Sequence, residues 1–350
     1  MASDGVTHMT GFDPGQLEDY LQDLTDQDRF SGTVLVDREG EVILEKAYGQ
    51  ACKTFGVPNR VDTKFNIGSL NKIFTKVAIL QLEQRGLLGL DDLVGKHLPD
   101  FRQDIASKVR IRHLLSFTSG LGDYFNEKFD NAIGRLRKVD DFIKFFISEP
   151  LQFEPGEGNL YSNAGYVVLG KIIEAVSKTD YYQYIRQNIY GPAGMTDSDH
   201  YERDFVTENT ATGYTRHMPD GTVHERLRRR NDFIIGTKGS PAGGGYSTLR
   251  DLRRFDKAVA SNVLLDSQHS RMVFLPLDAD PKKTPGAMAL AGGAPGLAAL
   301  YLKFFRAGYT VFVLSNYDPE DTEPLAEKIR DLIAPRKEGE PVSTMRKTRD

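Results

Sequence analysis

Phe65-Asn66-Ile67-Gly68-Ser69-Leu70-Asn71-Lys72-Ile73-Phe74-Thr75-Lys76 decides how the rest of the chain is read. Turn-forming Asn66 and Gly68 lead into Ile73, Val77 and Leu80, whose spacing predicts a buried helix. Ser69 stands at its mouth and Lys72 follows on the same helix face, so hydroxyl and amine can meet. A serine attacks only once something takes its proton. A lysine held neutral can do so, and burial at the positive end of a helix disfavours its charge. The helix mouth also offers the Ser69 backbone N–H to an oxyanion.

A Ser-x-x-Lys spacing arises about once by chance in a chain of this length. Its plain alternative is an N-cap serine followed by a solvated lysine. Composition narrows the field without choosing. The 350 residues can bury a sizeable core, as one large domain or two. A net charge of −4 argues against a general nucleic-acid binder. The single cysteine, Cys52, excludes an intramolecular disulfide framework, and the seven histidines show no metal-ligand spacing. Neither a metal nor a cofactor is expected. No apolar run reaches 18 residues, so no membrane span is expected. Met1 to Asp13 lacks the apolar core of a signal peptide, which makes a cytoplasmic location the expectation.

Along the chain, Leu17, Tyr20, Leu21 and Leu24 predict a helix from Pro14 to Asp28 behind an Asp13 cap. Gly32 to Asp37 and Glu41 to Glu45, around Arg38-Glu39-Gly40, read as a β-hairpin. Ile111 to Leu115, Val139 to Ser148 and Tyr166 to Ile173 read as helices, and 201–245 is polar and turn-rich. Strand-like runs follow at Met288 to Ala291, Leu297 to Phe305 and Tyr309 to Ser315, then a helix from Glu323 to Ile333. Strands at both ends with helices between imply an α/β (α+β) protein whose sheet joins N- and C-terminal segments. The expected division is an α/β layer from 12–62 and 248–334, a mainly helical region at 63–247, and a disordered tail at 335–350.

Three further stretches fit the opening one. Tyr161-x-Asn163 lies in a turn before a helix, where a phenol and an amide can project together. Leu290-Ala291-Gly292-Gly293 runs a strand into glycines, where a substrate carbonyl can approach backbone N–H groups. Gly239 to Thr248 lies between them. Taken singly, Tyr161 is as well explained by packing, Asn163 by a turn, and Gly292 to Gly296 by a tight strand connection.

Together these segments resemble the serine β-lactamase and penicillin-binding-protein superfamily, whose members include class C β-lactamases, D-alanyl-D-alanine carboxypeptidases and family VIII esterases. The resemblance runs from about Phe30 to Ile333 through Ser69-Leu-Asn-Lys72, Tyr161 to Glu174, Gly239 to Thr248 and Gly292-Gly-Ala-Pro-Gly296. It implies an antiparallel sheet flanked by helices with a mostly helical insertion. It also implies an acylated nucleophile at Ser69 partnered by Lys72, with Tyr161 as proton shuttle and Asn163 contacting the substrate or orienting Lys72. The backbone N–H groups of Ser69 and Gly293 match an oxyanion hole, with Leu290 and Gly292 beside the substrate.

The sequence also departs from the pattern. Leu290 stands where relatives carry a lysine, histidine or tryptophan, Phe117 where a histidine is common, and Ala298 where an asparagine is common. His113 reads as a structural partner of nearby backbone. Arg226, Arg228, Arg229 and Arg230, beside Glu225 and Asp232, read as a solvated or ion-paired surface. The expected activity is a serine acyl hydrolase, esterase-like, acting on a small-molecule ester or amide and favouring neutral substrates over carboxylate-bearing β-lactams. An acyltransferase with an alcohol or amine acceptor, and a non-catalytic ligand-binding member, stand as alternatives. No Gly-x-Ser-x-Gly elbow supports an α/β-hydrolase, and no glycine-rich phosphate loop supports a nucleotide enzyme. Acyl group, acceptor and oligomeric state stay open.

Overall fold

The computed structural model describes residues 12–280, 283 and 285–335. The elements that position the site are α1 (Pro14–Asp26), β1 (Gly32–Arg38), β2 (Glu41–Tyr48), α2 (Lys72–Gln84), α3 (Asn163–Ser177), α4 (Leu249–Ala260), α5 (Ser267–Phe274), β3 (Met288–Ala294), β4 (Leu297–Phe304), β5 (Tyr309–Ser315) and α6 (Pro319–Ile333). The sheet runs β2-β1-β5-β4-β3 and is antiparallel throughout. Its central pairing joins the chain ends, Gly32 opposite Ser315 and Arg38 opposite Tyr309.

Side-chain alternation along these strands divides the interior in two. Val34, Val36, Val311, Val313, Leu302 and Phe304 face α1 and α6, where Leu17, Leu21, Leu325 and Ile329 are buried. Leu35, Phe312, Leu314, Ala299 and Tyr301 face the larger core built on α2. Both faces of β1 and β5 are therefore apolar, which is why these strands read as continuous runs. The β1–β2 turn has Glu39 and Gly40 at φ +51° and +92°, the left-handed geometry a tight hairpin needs.

α2 lies inside the protein, with Ile73, Phe74, Val77, Ala78 and Leu80 all buried. Phe74 meets Phe255 edge-on at 5.0 Å and Tyr190 at 5.2 Å, fixing α2 against α4 and the segment after Tyr181. The turn that carries Ser69 is thus anchored to a rigid rod.

Two sequence expectations shift in detail and one helix is new. The helix expected at Val139 to Ser148 is regular only over Val139–Ile143. Pro150 disfavours helical backbone at Glu149, and Arg102 donates to the Ile147 and Glu149 carbonyls instead. α5 was not expected; Asp266 caps it by accepting from His269 N at 2.9 Å. The last helix begins earlier than Glu323, at Pro319, where a proline at N1 suits a helix start. The expected disordered tail lies, beyond Pro335, outside the described residues. Among the described residues no helix is long and apolar enough to cross a membrane.

Candidate active site

Ser69 sits in a 3-10 turn, Gly68–Asn71, that runs directly into α2 at Lys72. Gly68 has φ +50°, and its N–H donates to Asn66 Oδ1 at 2.9 Å. Phe65-Asn66 pairs with Tyr246-Ser247, Ile67 N donates to Gly245 O at 2.9 Å and Gly244 N to Gly68 O at 3.2 Å. The glycine-rich segment 239–247 is therefore laced to the turn that carries Ser69.

From the other side β3, an edge strand, packs against the same turn. A Cβ at Gly292 would lie 2.9 Å from Ser69 N and collide with the Ile67 carbonyl. A Cβ at Gly68 would lie 2.9 Å from Gly293 N. Only glycine at both positions lets the strand come this close to the turn. Leu290, on the Gly292 face of β3, packs partly buried against the helical-side core, while Gly293 is exposed on the opposite face.

Lys72 Nζ lies 3.2 Å from Ser69 Oγ, 2.6 Å from Asn163 Oδ1 and 2.6 Å from the Ala242 carbonyl oxygen. The Tyr161 hydroxyl donates to Ser69 Oγ at 2.7 Å. Tyr161 and Asn163 flank Ser162, which caps α3 by accepting from Gly165 N at 2.9 Å and donates to Gly122 O at 2.7 Å. Cap geometry thus aims both neighbours towards Ser69 and Lys72. Asn163 Nδ2 donates to Asp123 Oδ2 at 2.7 Å, which fixes the amide with its oxygen towards Lys72.

Burial drives the Lys72 amine down to about 7, against the opposing pull of the Asp123 charge. Burial pushes the Tyr161 phenol up to about 12, with its bond to Ser69 acting the other way. At neutral pH the phenol keeps its proton and the amine can lose one. Asn163 and Ala242 offer Lys72 only acceptor oxygens. A neutral amine has two N–H groups, and those two short contacts use both. Its lone pair then faces Ser69 Oγ, and the serine O–H can donate to it while accepting from Tyr161.

The structure therefore gathers Ser69, Lys72, Tyr161 and Asn163 into one hydrogen-bonded cluster and sets Gly292 and Gly293 beside it. Sequence reasoning missed two members, Asp123 and the Ala242 carbonyl. The loop carrying Ala242 is held on several sides: Thr75 Oγ1 donates to Pro241 O at 2.7 Å, Tyr182 Oη to Gly239 O at 2.8 Å, and Tyr124 Oη meets Ser240 Oγ at 3.1 Å. Asp123 had a signal in its place directly after the Ser119 to Gly122 turn. A backbone carbonyl has none.

His113 serves the backbone, its Nδ1 accepting from Arg110 N at 3.3 Å. The arginine group is not all surface: the Arg228 side chain is 3% exposed, pairs with Asp28 and Asp321, and stacks 3.6 Å from the Tyr317 ring centre. His217, Asp318 and Glu320 bring ligand-type atoms within 4.8 Å of one another. Asp318 already accepts from Gly296 N at 2.7 Å and Arg216 N at 2.8 Å, with the Arg228 guanidinium 3.5 Å away, so a cation there meets an occupied carboxylate and a fixed positive charge.

Residues 17–332 match the β-lactamase family, and the chain belongs to it. It is an enzyme of the β-lactamase-related serine hydrolase and acyltransferase type. It is 31% identical over 332 residues to penicillin-binding protein 4* of Bacillus subtilis, covering 88% of this chain and 72% of that protein. A putative penicillin-binding protein of the same organism is 29% identical over 312 residues, covering 85% and 72%. The crystal structure of a penicillin-binding protein from Bacillus halodurans superposes with a TM-score of 0.77 at 26% identity, covering 88% of this chain and 99% of that one.

Proposed function

We propose that the protein is a serine acyl hydrolase, esterase-like, that works through a covalent acyl-enzyme on Ser69. The observation that carries this reading is the position of Ser69 Oγ, 2.7 Å from the Tyr161 phenol and 3.2 Å from a buried amine. Ser69 Oγ attacks the substrate carbonyl carbon as its proton passes to the Lys72 lone pair. The carbonyl oxygen becomes an oxyanion between the Ser69 and Gly293 amides. When the tetrahedral intermediate collapses, the bond to the leaving alkoxide or amine breaks. The Tyr161 phenol protonates that leaving group and is restored from the Lys72 ammonium. In the second half a water gives its proton to the same pair, its oxygen bonds to the acyl carbon, and Ser69 leaves with a proton returned to it.

The substrate class follows from β3. Leu290 offers neither charge nor hydrogen-bond donor at the head of the Leu290-Ala291-Gly292-Gly293 stretch, and an apolar side chain there raises the cost of desolvating a carboxylate. Neutral esters or amides are favoured over carboxylate-bearing β-lactams and peptides. An alcohol or amine in place of the second water would give acyl transfer by the same steps.

Intact-protein mass spectrometry tests the mechanism directly. Mixed with a fluorophosphonate, wild type should gain one adduct, mapped to Ser69, and Ser69→Ala none. With a p-nitrophenyl ester the wild-type acyl adduct should form and decay while Ser69→Ala stays unmodified, with its melting temperature preserved. A nucleophile removed from a coupled cluster takes nearly all the catalysis with it. Near wild-type turnover by Ser69→Ala would remove the whole assignment.

A further inference from the structure

Phe117 has φ +59°, a left-handed backbone that a bulky side chain rarely adopts. Its carbonyl accepts from Leu160 N at 2.9 Å, holding the backbone immediately before Tyr161. Its ring lies 4.9 Å from the Tyr161 ring at 30° and 5.5 Å from the Tyr166 ring at 32°. Those two tyrosines in turn face the Lys72 amine, whose Nζ lies 4.7 Å and 5.4 Å from their ring centres. One strained residue thus braces both aromatic groups that cover Lys72. Strain of this kind persists where the surroundings over-determine it.

We propose that Phe117 is a positioning residue: its ring sets the Tyr161 phenol against Ser69 and keeps water from the Lys72 amine. This rests on the acyl-enzyme reading above for its catalytic consequence, though not for its effect on Lys72. The groups facing Lys72 are Ser69 from the nucleophile turn, Tyr161, Asn163 and Tyr166 at the start of α3, the Ala242 carbonyl, and the Asp123 charge behind Asn163. Removing the Phe117 ring leaves all of them present, so a change in the Lys72 titration reports the entry of water.

The test compares Phe117→Gly, which holds a left-handed backbone freely, with Phe117→Tyr, which keeps the ring. Lys72 is titrated by NMR in protein labelled at lysine Cε, its resonance identified by its loss in Lys72→Met. The midpoint should stay near about 7 in wild type and Phe117→Tyr and rise by about one pH unit in Phe117→Gly. On p-nitrophenyl acetate, kcat of Phe117→Gly should fall about tenfold or more with KM within about twofold. Should Phe117→Gly melt below the assay temperature, Phe117→Leu takes its place with the same expectations. A Lys72 midpoint that does not move, or an unchanged kcat beside normal Ser69 acylation, overturns the proposal. A midpoint that moves in a protein that never acylates Ser69 overturns the acyl-enzyme reading instead and leaves the shielding of Lys72 standing.

Discussion

The carbonyl oxygen of Ala242 accepts from Lys72 Nζ at 2.6 Å across 170 positions of sequence. With Asn163 Oδ1 at the same distance it accounts for both N–H groups of a neutral lysine. In the neutral amine that leaves the lone pair for Ser69, and in the mechanism proposed above the protonation of Lys72 is the switch for the reaction.

Activity should therefore rise with pH through about 7 as Lys72 loses its proton. Lys72→Arg should be nearly inactive at every pH from 6 to 9, because a guanidinium cannot serve as a base. The same displacement is a stability statement with a definite sign. The folded state binds the Lys72 proton more weakly than the unfolded chain, so stability increases as pH rises through the window from about 7 to the ordinary lysine value of 10.5. The gain is at most about 5 kcal/mol. Denaturant melts of wild type and Lys72→Met should show the difference moving in favour of wild type between pH 7 and 10. A difference independent of pH would mean that Lys72 is charged in the folded enzyme.

Gly292→Ala should fold and lose acylation. Its Cβ would stand 2.9 Å from Ser69 N and 2.7 Å from Leu70 N, both backbone atoms that cannot turn aside. β3 must then retreat from the turn that carries Ser69, taking the Gly293 amide away from the proposed oxyanion site. A loss of roughly 10²–10³-fold matches removal of one such donor. Gly293→Ala points to the opposite face, where its Cβ would stand 2.6 Å from the Pro319 ring and press on the start of α6 instead of the Ser69 turn, so it should cost acylation less. Fluorophosphonate labelling rates of the two variants measure the contrast, and equal rates would refute this placement of the oxyanion.

Leu290→His should shift the balance between substrates. A histidine at this edge position supplies the donor that leucine lacks, and a charge-assisted hydrogen bond contributes about 1.5–3 kcal/mol. The ratio of kcat/KM for a cephalosporin to that for a neutral ester should rise roughly 10–150-fold. Efficient cephalosporin hydrolysis by wild type would show that another group already provides the donor.

Much of this was legible because the chemistry sits on strongly patterned elements. The Tyr309 to Ser315 run was read with the bounds β5 has, since a strand buried on both faces is apolar at every position. Ser69 and Lys72 lie on one continuous turn and helix, so their spacing alone implied proximity. Ala242 was not legible, because what matters there is a carbonyl whose direction Pro241 and the surrounding hydroxyls set. The burial of Arg228 was missed for the opposite reason: four arginines in a polar stretch read as a solvated or ion-paired surface, and the partners that bury this one, Asp28 and Asp321, come from opposite ends of the chain.

Asp123 offers a way to separate charge from geometry at Lys72. Its carboxylate holds Asn163 Nδ2 at 2.7 Å and also accepts from Tyr124 N at 2.7 Å. Its charge favours the protonated amine, opposing burial. In Asp123→Asn the single amide oxygen can stay on Asn163 while the contact with Tyr124 N is given up. Orientation of Asn163 then survives and the charge does not. The acidic limb of kcat/KM should move to lower pH, by about half a unit to one unit for a charge acting across an intervening side chain. The plateau rate above it should stay within about threefold of wild type, since every group that touches Ser69 is unchanged. Asp123→Ala removes the same charge and also frees the Asn163 amide to turn its Nδ2 towards Lys72, donor against donor. That variant should show the same displaced limb together with a plateau lowered roughly 10–100-fold, the loss expected when a general base is no longer held in place. pH–rate profiles of the three proteins on one p-nitrophenyl ester measure both quantities. A limb that moves to higher pH in Asp123→Asn would show that Asp123 acts on Lys72 through hydration and not through its charge.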